Sequence, residues 1–588
     1  MYIDRVPNRN SPPAVLLRES YREDGKVRKR TVANLSGLPD HIVDCLKAAL
    51  KGGVMPASEG IFNPIKDIAV TDSRLHGHVA AILGVMKNSG LINTIDRDSS
   101  RKRDIVTAMI ADRLLGGDSK LSTVRHCCKE TASTTLGSML DLDKLEDREC
   151  YDAMDWLLER QEGIQKKLAR KHFHPGSPVL FDLSSSYFEG STCPLAMFGY
   201  SRDKRRDLPQ VNYGIYCNTD GTPVGVDVFA GNENDHFAFP KAVERVRKDF
   251  KQDRVIFIGD RGMISGKAID KHLRNLEGAD WITALTNGSI AKLERDKCIQ
   301  TSLFDERDLV SIVHPDYPDE RLVICRNPTL ADRRAIKREE LLQATEKLLI
   351  KVQKKLIRKN KPLRGKDKIG IEVGKVINKK NVAKHFDITI EDDSFEYSRN
   401  EEKILREASL DGLYVIRSSV DKDRMTDEEL VANYKNLEMV ERAFRSLKST
   451  DINVRPIHHR LENRVRAHIF ICMLAYYVEH SMRKMLAPIM FADEEKEKFS
   501  ERESVVMPVR RSNSAKQKDL VKKSSDGEFS ISSFRDIVKS LSAITSSKIC
   551  VKGHAKGRFT TTSRPSPYQR KILELLKVKR QVYPVTNN

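Results

Sequence analysis

Three acidic residues stand where phosphoester chemistry would need them. Asp182 closes the apolar run PVLFD, Asp260 closes VIFIGD, and Glu441 lies in YKNLEMVERAFRSLKS, whose apolar residues recur at helical spacing. Two strand-end aspartates and a helical glutamate can converge above a sheet, and an all-oxygen donor set suits hard divalent cations, magnesium first and manganese as its substitute. Two such cations about 3.5–4 Å apart would activate an attacking oxygen on one side of phosphorus and stabilise the leaving oxygen on the other. Asp182, on the strand expected to be central, is the candidate bridging ligand, with Asp260 and Glu441 each completing one cation's shell. A lone strand-end aspartate is more often a cap or loop residue; three at such places are harder to reach by accident.

Cations surround this trio in the sequence. Tyr434, Glu441 and Lys448 are spaced by seven and share one helical stripe, with Arg445 at i+4 from the glutamate, so the stripe could grip phosphate beside the carboxylate. Glu438, at i−3, is the rival ligand. Arg202, Lys204, Arg205 and Arg206 follow the first strand in a segment without strong pattern, within reach of phosphates near the site. A helix from about 330 to 359 adds Arg334, Arg338, Lys354 and Lys355 among cations too numerous for its acids to balance, which favours phosphate tracking. Trp281, inside the strand DWITAL, is expected in the core.

The elements able to position the trio begin near Pro175. VLFDL, NYGIYCN and TPVGVDVFA form a meander around the turn Asp220-Gly221; HFAFPKAVERVRKDF follows as a helix, then VIFIGD, the helix GKAIDKHLRNL and the strand DWITAL. Three strands, helix, strand, helix, strand is the order expected of an RNase H-like core, in which the first strand is central and the fourth lies beside it. About 145 residues then precede the glutamate helix, too many for a loop, so an inserted mixed α/β domain is expected, with a hairpin (DLVSIVHP, ERLVICRN), the basic helix and LDGLYVIRSS. Upstream, residues 70 to 172 show helical periodicity, and VLLRES and KVRKRTVA flank Asp24-Gly25 as a hairpin. The expected architecture is a multi-domain α/β protein. Residues 1–69 form a hairpin and short helix, 70–172 a helical domain assigned to DNA binding, and 173–289 the first part of the RNase H-like catalytic core. Residues 290–426 are the insertion, 427–491 the glutamate helix with a long helix behind it, and 492–588 a basic, partly disordered C-terminal region.

Charge points to the same partner. The 588 residues carry 103 Lys/Arg against 83 Asp/Glu, a formal +20, and residues 329–364 (twelve against four) with 501–588 (nineteen against seven) hold all of the excess. Such clustering favours nucleic acid over a membrane surface. The ten cysteines include no CxxC pair, which argues against a zinc site. MYIDRVPNRN contains no apolar targeting segment, and the apolar run in AHIFICMLAYYV is shorter than the roughly 20 residues that span a bilayer. A cytoplasmic, nucleoid-associated protein without membrane contact is expected.

At these residues the chain resembles the DDE transposases of bacterial insertion sequences, specifically the insertion-sequence-four superfamily with its Y-x2-R-x3-E-x6-K signature. Tyr434, Glu441 and Lys448 fit that spacing; Leu437 stands at the signature arginine, with Arg442 or Arg445 as candidate substitutes. GYSRDKRRDLPQVNYGIY is similar to the family's G-x-S-K-D-x-R-P-D-L segment, with Arg206 at the usual proline, and GDRGMIS is similar to the stretch holding the second aspartate. KSTDINVRPIHHRLENRVRAHIFICMLAYYV looks like the region after the glutamate, so the resemblance runs from about residue 70 to 485. It implies an enzyme that cuts double-stranded DNA at the terminal inverted repeats of its own element and joins the freed 3′ hydroxyls to target DNA, working as a homodimer in a synaptic complex. It also implies a β-rich insertion between the second aspartate and the glutamate. Two other readings stay open: a structure-specific nuclease on the same fold, and a catalytically silent, domesticated transposase that only binds DNA.

Overall fold

The structure is a computed structural model that describes all residues except 9–11, 24–25, 52–55, 58–59, 62–67, 297, 300–307, 496–503, 508–509, 525, 552–557 and 583–588. The Asp24-Gly25 turn therefore lies outside the described residues, although the strands on either side are antiparallel neighbours. These are β2 (Ala14–Glu23) and β3 (Lys26–Asn34), joined on β2's other side by β1 (Tyr2–Val6). Ile3, Val15 and Val43, the last from the Asp40–Leu50 helix, close a small separate core. Short strands β4 (Pro56–Ala57) and β5 (Gly60–Ile61) pair with each other, and β6 (Ile68–Leu75) leads into a helical layer.

An eight-stranded mixed sheet positions the site. Its strands include the meander β7 (Pro178–Tyr187), β8 (Gln210–Cys217) and β9 (Pro223–Ala230), then β10 (Val255–Ile258) and β11 (Ala279–Ala284). β10 runs parallel to β7, and β11 parallel to β10. Parallel neighbours need crossovers, supplied here by the helices Asp235–Lys248 and Gly266–His272. The exposed edge that β9 would present is covered by helix Asp147–His172: Val226 N–H donates to Gln165 Oε1 at 2.8 Å, and Gln161 Nε2 donates to Val226 O at 3.0 Å. Such cover removes a pairing template for other chains.

The segment expected as one inserted domain is divided. Its hairpin β12 (Leu309–Ile312) and β13 (Arg321–Arg326) does not stand apart but extends the main sheet. A second hairpin, β14 (Phe386–Ile390) and β15 (Phe395–Arg399), is separate, and β16 (Leu413–Ser418) returns to the sheet, giving the spatial order β12-β13-β16-β11-β10-β7-β8-β9. Only the helices Pro328–Leu356 and Lys366–Ile377 with β14 and β15 have a core of their own, built on Leu342, Leu349, Val352, Ile369, Val373, Phe386 and Phe395. The physical reason is pairing: antiparallel β16 buries both sides of its backbone between β11 and β13, so the returning chain satisfies its hydrogen bonds in the existing sheet.

Behind the sheet lies the helix Glu462–Leu486, packed against β9 and the helices Arg101–Leu115 and Asp147–His172. Covered on several sides, it is buried all round from Ala467 to Glu479. Among the described residues no helix is long and apolar enough to cross a membrane. The helical layer and the sheet share one apolar core that runs from Val79 to Val582. The region after 492, expected to be basic and partly disordered, contributes to that core: helix Phe534–Ser542 packs on helix Gly77–Asn88, and β17 (Thr545–Val551) pairs with both β6 and β18 (Arg558–Thr562).

Candidate active site

Register brings the aspartates together. Ile258 at the end of β10 is paired with Leu180 of β7, so two residues further along each parallel strand Asp260 and Asp182 come side by side. Asp182 is not at a strand end, as its sequence context implied: β7 continues to Tyr187 because β8 keeps pairing with it to Gln210. β10 stops short, so Asp182 borders the notch left beyond Ile258. Each aspartate fixes one oxygen on a backbone donor, Leu183 N–H to Asp182 Oδ1 at 2.7 Å and Met263 N–H to Asp260 Oδ1 at 2.8 Å. Burial pushes the Asp182 carboxyl up to about 7, and the negative charge of Asp260 adds to the rise.

The glutamate arrives on a helix in three pieces rather than one. Asp427–Lys435, started by a Thr426–Glu429 capping box, ends at Asn436; Leu437–Arg445 follows, then a π turn, Ser446–Thr450. Lys435 holds the first break by donating to the carbonyls of Val505, Val506 and Met507 at 2.6, 2.8 and 3.1 Å. Val440, Ala443 and Phe444 bury the inner face against β7, with Phe444 edge-on to Tyr213 at 5.8 Å, and Glu441 stays exposed beside them. Glu438 is 72% exposed and pairs with Arg442. Tyr434 connects the parts. Its phenol is pushed up to about 12 by burial first and then by Asp260, with Glu441 and Asp182 contributing in the same sense against Arg261. All three carboxylates therefore lie within electrostatic reach of one hydroxyl. Among the described residues, however, no three Asp, Glu, His or Cys side chains form a group that could hold a metal ion.

Two carboxylates here carry no chemical signature in the sequence. Asp235 opens its helix next to the N-cap Asn234 and holds Arg202 at 2.7 Å; its position in the first helical turn reads as capping. A Cβ at Gly262 would lie 3.5 Å from Asp260 Oδ1 and 3.7 Å from Asp235 Oδ2, so both acids border that glycine, whose lack of a side chain keeps the space between them open. Asp203, hidden in a run of cations, pairs with both Lys448 and Arg455.

The expected cations divide into internal ties and exposed groups. Lys448 is only 12% exposed and turned onto Asp203 at 2.9 Å; burial lowers its ammonium pKa, opposed by Asp203. Arg202 spans Asp235 and the Tyr200 ring, while Arg205 pairs with Asp207 and lies over Tyr187. Lys204 is exposed at φ +62°, and Arg445 is exposed in the last turn of its helix. On helix Pro328–Leu356, Arg338 is buried against Asp411 at 2.6 Å and Lys355 pairs with Glu372, whereas Arg334 and Lys354 are exposed. Trp281 is 3% exposed and donates to Glu320.

The family described as transposase DDE domain matches residues 180–478, and the N-terminal domain of the IS1634 family transposases matches residues 3–53. Among solved structures, the chain is similar to a piggyBac transposase in a synaptic complex with hairpin DNA, at 10% identity and a TM-score of 0.30, covering 69% of this chain and 67% of that one. No curated protein matches the chain.

Proposed function

This chain belongs to the transposase DDE domain family, the DDE transposases of insertion sequences, and on that premise we propose that it cleaves DNA at the inverted repeats of its element and joins the freed 3′ ends to target DNA. The observation that carries this reading is the parallel register that sets Asp182 beside Asp260 under the Glu441 helix. The order β9-β8-β7-β10-β11 supports an RNase H-like core.

The donor chemistry suits magnesium, with manganese as substitute, and the three carboxylates would have to draw together around the cations. Asp182, Asp260 and Glu441 offer only hard oxygen atoms, and two adjacent carboxylates, one of them shielded, carry a repulsion that a dication would relieve. Bound there, such cations would polarise the scissile phosphate and activate the attacking oxygen. The chain's own residues do the rest. The Tyr434 hydroxyl, largely buried beside the carboxylates, stays protonated and able to donate. Lys204, exposed next to Asp203, can meet phosphate, and Arg334 and Lys354 extend the cationic surface along the outlying helix. Two element ends must be handled together, so the working form is a homodimer on double-stranded DNA in the bacterial cytoplasm, associated with the nucleoid.

The same site could direct water or a 3′ hydroxyl at phosphorus, so the choice between transposase and nuclease rests on whether the cut end stays aligned with a second duplex. Purified protein with magnesium, a labelled element end and a plasmid target tests it. Joined products support strand transfer; efficient cleavage with no joined product across targets assigns a nuclease, and binding without cleavage assigns the silent form.

A further inference from the structure

One buried carboxylate gathers the pieces of the site. The side chain of Asp203 is 1% exposed; its Oδ1 takes Lys448 Nζ at 2.9 Å and Arg455 Nη1 at 2.5 Å, and its Oδ2 accepts the Tyr187 N–H at 3.3 Å. Tyr187 is the last residue of β7, the strand that carries Asp182. Lys448 lies in the π turn that directly follows the Glu441 helix. Arg455 precedes a segment that runs along the end of β7, with Ile457 N–H donating to Tyr187 O at 3.2 Å and Glu189 N–H to Ile457 O at 2.9 Å. The neighbour of Asp203, Arg202, is fixed by its own N–H on Ser185 Oγ at 2.9 Å and by its guanidinium on Asp235. Strand, loop and helix end therefore meet at a single anion, and a π turn is a common place for a helix to be adjusted to a functional site.

We infer that Asp203 is a positioning residue that registers the Glu441 helix against Asp182, and that Lys448 serves catalysis through Asp203 and not by holding DNA phosphate. Breaking a buried pair leaves an uncompensated charge, so the strand and helix ends it joins would separate. The inference rests on the reading of Asp182 and Glu441 as catalytic.

The test compares full-length wild type, Lys448→Ala, Lys448→Arg and Asp203→Asn. DNA binding is followed against salt in calcium, single-turnover cleavage of a labelled end in magnesium, and manganese binding without DNA by calorimetry. The clamp predicts that Lys448→Ala and Asp203→Asn cut at least tenfold more slowly and bind manganese several-fold more weakly. Their affinity for DNA and the slope of log K against log salt should stay at wild-type values, and Lys448→Arg should recover most of the rate. A fall of about 0.9 in the salt slope of Lys448→Ala would show a phosphate contact and overturn the inference; so would wild-type cleavage and manganese binding in both variants. If Asp203→Asn loses its thermal transition, the two Lys448 variants decide alone. Absence of cleavage by wild type would count against the functional reading, while the manganese comparison would still judge the clamp.

Discussion

The two halves of the eight-stranded sheet treat their acids in opposite ways. In the half built on β11, β13 and β16, Glu320 has a side-chain exposure of 0% and is held by Arg417 at 2.5 Å, Arg274 at 2.9 Å and Trp281 Nε1 at 3.2 Å. Nearby, Arg321 meets Asp427 at 2.7 Å, and Arg338 meets Asp411 at 2.6 Å. In the half built on β7 and β10, Asp182 and Asp260 adjoin with backbone donors, and among the described residues neither makes an ion pair. Acids matched to arginines hold the fold; acids left facing each other hold it less well and stay available to a cation. The same distinction separates tied cations such as Lys448 and Arg338 from exposed ones such as Lys204 and Arg334.

The largest effect expected from this contrast is on chemistry. Asp182→Asn, Asp260→Asn or Glu441→Gln should each lower cleavage of a labelled DNA end by about a thousandfold or more, equal to about 4 kcal/mol, while gel-shift affinity holds within about twofold. Cleavage by Glu441→Gln at the wild-type rate, with Glu438→Gln inactive, would transfer the role to Glu438.

Stability should respond in reverse order. Glu320→Gln leaves the buried Arg417 without its acid and takes from Arg274 one of its two, Asp270 being the other, and should cost about 3–5 kcal/mol in urea unfolding. A loss below about 1 kcal/mol would mean that the far half is no better compensated than the site.

Asp182 predicts a pH effect of opposite sign to that of an ordinary ion-paired acid. Its folded value is raised above the unfolded one, so between about pH 4 and 7 the folded protein holds a proton that the unfolded chain has released. Stability of the metal-free protein therefore falls as pH rises through that window, by at most about 4 kcal/mol at 1.36 kcal/mol per unit. Asp182→Asn should remove this decline, and magnesium at pH 8 should offset it, both read by calorimetry. A wild-type profile that the substitution leaves unchanged would place the strain elsewhere.

The smallest effects concern DNA affinity. Each of Arg333, Arg334, Lys351 and Lys354 changed to Gln should reduce the salt slope by about 0.9 if it meets a phosphate, whereas Arg338→Gln and Lys355→Gln should leave the slope alone and act on stability. A fourfold-neutralised helix that keeps the full slope would move the DNA path away from it.

Much of the site could be read along the chain because its signals are local. Asp182 and Asp260 end apolar β-rich runs, and the apolar period places Glu441 on a helix; these patterns depend on residues a few positions apart. Asp235 and Asp203 were invisible for the complementary reason. One looks like a helix-start acid and the other like a stray charge among arginines, and only partners 33, 245 and 252 positions away give them meaning. The glutamate helix was expected in one piece because Asn436 is a tolerable helical residue, and nothing local reveals that Lys435 is anchored by carbonyls of residues 505–507.

Residue order alone determined the donor chemistry, the meander followed by alternating helices and strands, and the size of the cationic excess, since each follows from residue type and short-range period. Tertiary structure decided which charges remain available. The parallel register of β7 and β10 joined two aspartates 78 residues apart, and β16 drew the returning chain into the sheet. Asp203 turned Lys448 inward because a buried carboxylate demands a matched cation, a demand that exists only once the chain has removed both groups from water.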